Sequence, residues 1–164
     1  MEKDQLAFGE ETRLEIIFAA KSYSNQVTRR PLIVTNETSP DSLHHVRINA
    51  FVYADPDSTD PIVITPYRFN ISQYGEPVRD QLFFQIKNVS TEDVELTVVE
   101  YPTDLMTLTM PTAVPAGGTI DGDIKLTASA IGLEFEKSMT VEVKDPVRSR
   151  FTIPIMRRIY TASP

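Results

Sequence analysis

Apolar and polar residues alternate along almost the whole chain. Leu14, Ile16 and Phe18 alternate with Arg13, Glu15 and Ile17, and Leu32-Ile33-Val34 follows a proline and ends at the turn signal Asn36-Glu37-Thr38-Ser39-Pro40. Val46, Ile48, Ala50 and Val52 alternate with Arg47, Asn49 and Phe51. Period 2 predicts three strands here. Further on come Ile62-Val63-Ile64, then Leu82, Phe84, Ile86, then Val94, Leu96, Val98, then Met106, Leu108, Met110. The last runs are Ile124 with Leu126, then Met139, Val141, Val143, and finally Phe151, Ile153, Ile155. Phe84, Ile86, Leu96, Val98, Ile124, Leu126, Val141 and Val143 share one phase of the alternation in central strands, so they are expected to face inward between two sheets.

No window of about 12 residues carries the i, i+3, i+4, i+7 stripe of an amphipathic helix. The 12 prolines are scattered at intervals that would break long helices. The expected fold is all-β, an immunoglobulin-like antiparallel β-sandwich, one complete module preceded by a partial one. Pro154 falls inside the last strand pattern, where a missing N–H predicts an edge or a bulge.

With 164 residues the chain has room for one domain or two small ones. A hydrophobic fraction of 41% and a charged fraction of 24% exclude general disorder, and no membrane span is expected. The stretch from Ala54 to Pro61 is turn and linker chemistry, ADPDSTDP. It divides a partial module of about three strands at 1–55, a linker at 56–61 and a complete sandwich at 62–164. The net charge of −7 is spread over both parts, which argues against a nucleic-acid partner. Zero cysteines exclude disulfide scaffolds, thiolate zinc sites, iron–sulfur clusters and cysteine nucleophiles, and are neutral on compartment. The start, MEKDQLAFGEETRLEIIF, lacks a basic region followed by an apolar stretch of about 7 to 15 residues, so no signal peptide is expected in this chain.

Two segments align at a shift of about 108 residues. Ile16 and Phe18 then meet Ile124 and Leu126; Leu32 and Val34 meet Val141 and Val143; Val46, Ile48 and Ala50 meet Phe151, Ile153 and Ile155. Identities are few, and alternation alone also aligns β-rich segments. The order of features, from a Gly-led turn to a third strand, is what suggests a repeat.

Thr65-Pro66, Phe69, Gly75, the run Phe83-Phe84-Gln85-Ile86-Lys87-Asn88-Val89-Ser90 and then Val94 to Val98 carry a family resemblance. The chain resembles the Hydin-like and major-sperm-protein-like immunoglobulin-type domains, most nearly a bacterial cell-envelope repeat domain of unknown function. Pro115-Ala116-Gly117-Gly118-Thr119 and the stretch to Ile155 follow the later half of that pattern. The likeness covers 62–159 as a whole module and 8–54 as the back half of another. It implies an extracytoplasmic setting, the periplasm or cell surface. Many members of the bacterial group carry a Cys-Gly-Cys-like motif where this chain reads Glu100-Tyr101-Pro102-Thr103-Asp104, so a metal or redox role tied to those cysteines is not inherited.

Few residues suggest chemistry. Asp55, Asp57 and Asp60 in the linker have the oxygen chemistry Ca²⁺ requires, but the Gly and distal Glu of a calcium loop are absent, and Asp also suits turns. His44 and His45 are adjacent on a strand, so they point to opposite faces and cannot share a metal; one solvent-facing and one partly buried histidine is the expectation. Lys144, Arg148, Arg150, Arg157 and Arg158 stand against Asp145 alone in the last 21 residues, a polyanion patch or, better, charge protection of an edge strand. Asn36, Asn70 and Asn88 head N-glycosylation patterns that are common by chance. No catalytic, cofactor or metal residue is expected. The reading is a non-enzymatic spacer or protein-interaction module, its partner a protein or a second copy held through exposed strand edges. The alternative is a carbohydrate-binding accessory module, with or without calcium, which coplanar exposed aromatics would favour; Tyr67, Tyr74, Tyr101 and Tyr160 are scattered in sequence.

Overall fold

The computed structural model describes residues 5–14, 16, 18, 23–38, 42–55 and 58–160, and the chain divides into two compact units, Met1–Ala54 and Asp55–Pro164. In the first unit, strands β1 (Asn25–Arg29), β2 (Leu32–Val34), β3 (Leu43–His45) and β4 (Ile48–Val52) pair as β1 with β4 and β2 with β3, both antiparallel. The register never slips: Asn25 lies opposite Val52, Arg29 opposite Ile48, Leu32 opposite His45 and Val34 opposite Leu43. The four short strands are therefore two arms of one hairpin. Its ladder is interrupted at Pro31, which has no N–H to donate; the Pro31 carbonyl still accepts the Val46 N–H at 3.2 Å, and Thr35 N–H to Ser42 O at 2.9 Å closes the loop end.

Three expectations change in this unit. Leu14, Ile16 and Phe18 are not in a strand, and Glu15 and Ile17 lie outside the described residues. The strand at Asn25–Arg29 was not expected, because Val27 is its one apolar residue and a single position shows no period. The segments aligned at the 108-residue shift also pair differently. β2 and β4 are not neighbours here, whereas their counterparts around Val141 and Phe151 are directly paired. Val27 is the one buried apolar side chain among the described residues of this unit, and Leu32, Val34, Leu43 and Phe51 are exposed.

The second unit runs through β5 (Ile62–Thr65), β6 (Phe69–Asn70), β7 (Gln73–Tyr74), β8 (Gln81–Asn88), β9 (Val94–Glu100), β10 (Met106–Thr109), β11 (Ala113–Val114), β12 (Thr119–Leu126), β13 (Phe135–Val143), β14 (Arg150–Arg157) and β15 (Ile159–Tyr160). One sheet has the order β10-β12-β8-β5, the other β11-β9-β13-β14-β6. Their inner faces share one core: Ile64, Phe84, Ile86, Met106 and Ile124 from the first meet Phe69, Leu96, Met139, Val141 and Ile155 from the second. This is an all-β sandwich. Seven of the eight residues expected inside are buried, and Val98 is half-buried. The reason is local. Between Val98 and Glu100 the β9 strand carries an extra residue, Val99, against β13, and such a bulge tilts its neighbours.

One stretch departs from antiparallel pairing. The chain leaves the first sheet after β5, crosses at Pro66-Tyr67-Arg68, and then runs parallel to the last strands as β6 and β7. Ile71 N–H to Met156 O, Gln73 N–H to Arg158 O and Gly75 N–H to Tyr160 O, at 3.0, 2.9 and 2.8 Å, hold that seam. These bonds also fix where Pro154 points. Met156 faces β6, so Pro154 faces the same side, one residue before the β6 ladder starts at Ile155, and its missing N–H leaves no partner unpaired.

Candidate protein interface

Buried polar residues lock the ends of the sandwich. Arg157 is fully buried. Its Nη1 donates to the carbonyls of Ile71 (2.8 Å) and Arg79 (2.9 Å), and its Nη2 to the Ile131 carbonyl and to Gln73 Oε1 (3.3 Å). Burial pushes its guanidinium below the usual arginine value, with Asp80 acting in the opposite sense. The role expected for Arg157, charge on an exposed edge, is thereby corrected: the side chain points inward at the last β14 position and ties three loops together.

The other bases of the tail meet acids the sequence window could not show. Glu142 on β13 receives Arg150 at 2.8 Å and Arg148 at 3.1 Å, and Arg150 in particular holds its carboxyl below the ordinary Glu value against the push of desolvation. Lys144 reaches Glu95 at 2.7 Å, and Arg158 lies 3.7 Å from Glu136. Cross-strand neutralisation of this kind leaves little net positive charge for a polyanion.

The remaining candidates separate. Asn88 is buried and fully used: its amide donates to the carbonyls of Glu92 and Val114, and its oxygen accepts from the Ser90 amide and hydroxyl. Asn70 accepts from the Ser72 N–H at 3.0 Å, and Asn36 is exposed. His44 and His45 are both exposed, contrary to the expectation of one partly buried, because β3 has neither face covered; His44 bonds Glu37 at 2.8 Å. Asp55 and Asp60 are exposed, the Asp55 carbonyl accepts from Ser58, and Asp57 lies outside the described residues. Among the described residues no three His, Asp or Glu side chains converge as metal ligands. Tyr74 and Tyr160 do come together, stacked 5.0 Å apart at 9°, both exposed.

The strand edges differ in how they are closed. Natural edges are guarded by proline, charge or shortness. β5 lies between Pro61 and Pro66, two-residue β11 lies between Pro111 and Pro115, and Pro154 guards the far side of β14. β10 ends the first sheet beyond β12 with the sequence Met106-Thr107-Leu108-Thr109, which has neither proline nor charge within it and is bounded by proline on its C-terminal side alone, at Pro111 after Met110. Thr107 and Thr109 point out to solvent, while Met106 is buried and Leu108 half-buried. The main chain can be assigned side by side. Thr127 N–H bonds the Leu105 carbonyl, so Leu105, Thr107 and Thr109 face β12, and Met106, Leu108 and Met110 face the open side. The Met106 N–H is taken by the Pro102 carbonyl at 3.1 Å. What this edge presents outward is the Met106 carbonyl and both main-chain groups of Leu108 and of Met110. An uncharged strand that follows the acidic β9 was the signal in the sequence; only the sheet order shows that it is an edge.

The chain matches no protein-family model and no curated protein. Solved structures similar to it include WR4, an MSP family member of C. elegans, at 14% identity and TM-score 0.48 over 61% of this chain and 100% of that one. The PapD-like domain 7 of human CEP192 aligns at 14% identity and TM-score 0.42 over 68% of this chain and 96% of that one. The CupB2 chaperone of Pseudomonas aeruginosa aligns at 13% identity and TM-score 0.39 over 58% of this chain and 55% of that one.

Proposed function

We propose that the chain is a non-catalytic structural spacer or protein-interaction module of a larger extracytoplasmic protein, and that it docks through the open edge of β10. The observation that carries this is the row of outward main-chain groups on Met106, Leu108 and Met110, beside solvent-facing Thr107 and Thr109, on an edge with no proline or charge within it. Adding a strand to such an edge gives affinity through main-chain hydrogen bonds and specificity through alternate side chains. The extracytoplasmic part rests on the family resemblance of 62–159. A photo-crosslinking side chain in place of Thr109, in the protein expressed in its source cell, should yield a protein adduct, while one in place of Lys87 on the outer face of β8 should not. Absence of any adduct at Thr109 overturns the reading.

One observation bears on the carbohydrate-binding alternative: Tyr74 and Tyr160 are exposed and stacked on each other, which is not a coplanar platform but leaves an outer ring face for a sugar. Retardation in glycan-containing gels that disappears in Tyr160→Ala is its signature.

A further inference from the structure

We infer that the partner at the β10 edge is a second copy of this chain, joined antiparallel about Leu108; this rests on the reading of that edge as an interface. A two-fold axis requires each side chain to lie opposite one on the same face of the joined sheet, which allows a centre at any residue; those that overlap the open edge are Thr107, Leu108 and Thr109. With Leu108 at the centre, Leu108 faces Leu108 of the other copy as a hydrogen-bonded pair, each N–H donating to the other's carbonyl. Met110 then lies opposite Met106, and its N–H donates to the Met106 carbonyl, in both directions. Every outward N–H left open from Met106 to Met110 is used, the Met106 N–H already taken by Pro102 is not needed, and the Met110 carbonyl is left to water. A centre at Thr107 pairs Leu108 with Met106 instead and leaves the Leu108 carbonyl and the Met110 N–H without partners. A centre at Thr109 leaves the Met106 carbonyl open and runs the overlap off β10 to Pro111 and Thr112, whose carbonyl is already bonded to Leu96 on β9.

Side chains agree with the same register. Met106, Leu108 and Met110 continue one apolar inner face across the axis, and Thr107 meets Thr109 on the outer face, a favourable cross-strand pair. Charge does not oppose the contact locally. Each chain carries −7, so most of its surface repels a copy of itself, whereas the strand from Met106 to Met110 brings no charge to the contact. The paired segment is short, so the dimer is weak, and salt should strengthen it by screening the remaining repulsion.

The absence of cysteine makes the register directly testable. In the Leu108-centred dimer Thr107 and Thr109 of opposite copies have Cβ atoms about 4.5 to 5.5 Å apart, while Thr107 to Thr107 is a diagonal of about 7 to 8 Å. A mixture of Thr107→Cys and Thr109→Cys chains should form the mixed disulfide at least about tenfold faster than either variant alone forms its own. Sedimentation of the full chain across a hundredfold dilution should show a monomer–dimer equilibrium. The double variant Thr107→Glu/Thr109→Glu places carboxylates opposite each other and should be monomeric. Thr107→Lys/Thr109→Lys should be monomeric too, and mixing the two should restore a dimer. A wild-type chain monomeric throughout, or a mixed disulfide no faster than the single-variant ones, overturns the inference. If that happens while the photo-crosslinker at Thr109 captures a different protein, self-pairing alone falls; if Thr109 captures nothing, the edge reading falls with it.

Discussion

Gly122 on β12 lies directly opposite Phe84 on β8, and the ring occupies the space where a side chain at 122 would begin. A Cβ built there meets Phe84 Cζ at 2.5 Å and Cε2 at 2.8 Å, and the Thr109 carbonyl oxygen at 3.0 Å. Phe84 is held from the other sheet by Phe69, whose ring centroid is 4.8 Å away. The glycine is thus needed for close approach, and the same contact seats β10, which carries Thr109.

Gly122→Ala should destabilise the second unit by about 1 to 3 kcal/mol through overpacking. Phe84→Leu removes the ring that the new methyl meets, so the double variant should recover part of that loss relative to the sum of the singles. Urea unfolding of the four proteins reads the coupling. Strict additivity would show that the clash is relieved elsewhere.

Leu96 is nearly fully buried at the centre of β9. Leu96→Ala should cost about 2 to 5 kcal/mol, while Thr97→Ala, one residue on and exposed, should cost less than about 0.5 kcal/mol. Equal effects at the two positions would mean the strand is turned by one residue.

Arg157 gives a different kind of core prediction. Arg157→Met leaves the carbonyls of Ile71, Arg79 and Ile131 without their donor in a buried site, at about 1 to 3 kcal/mol each. Arg157→Lys keeps the charge but lacks the planar fork that reaches several acceptors at once, so it should recover only part of the loss. Full recovery by lysine, measured as the unfolding midpoint, would reduce the role of Arg157 to charge alone.

How much of this was legible depends on where each interaction lies in the chain. Within β8 and β12 the alternation of Leu82, Phe84 and Ile86, and of Ile124 and Leu126, reports burial directly, because one sheet face is dry and the other wet. Arg157 breaks no local rule: it continues the period of Ile153 and Ile155, and only the distant carbonyls of residues 71, 79 and 131 explain why a charge sits at a buried position. Val27 carried no period because its neighbours on β1 are polar, and its strand is recognised by its pairing with Ala50. The parallel seam of β6 and β7 with β14 and β15 joins the beginning of the unit to its end, a relation local patterning does not contain. The β10 edge is the intermediate case. Its lack of charge is plain in the sequence, but openness is a property of sheet order.

Glu142 supplies a pH prediction. Its folded-state value is lowered, chiefly by Arg150, so its stabilising effect is fully present above the unfolded Glu value near 4.5 and is lost as pH falls through the lower folded value. Wild type should therefore lose stability faster than Glu142→Gln as pH is taken below about 4.5, with the gap between them narrowing. Parallel acid limbs in the two unfolding series would remove Glu142 from the list of groups that tie β13 to β14.

The hairpin of β1 to β4 sets the last prediction. Two strands are marginal in water without a covered face, and among its described residues Val27 alone is buried, while Leu32, Val34, Leu43 and Phe51 stay exposed. In dilute solution the amides of Val27 and Ala50 should exchange at least about a hundredfold faster than those of Ile86 and Ile124, whose strands are fixed by the sandwich core. Raising the concentration separates two physical cases. If protection at Val27 rises with concentration, the apolar residues of the hairpin are being covered by another chain, and Val34→Ser, which removes only exposed apolar surface, should abolish the rise without changing exchange at Ile86. If protection is high at every concentration and matches Ile86, the hairpin's apolar side chains are covered within the single chain and the expectation of fast exchange is wrong.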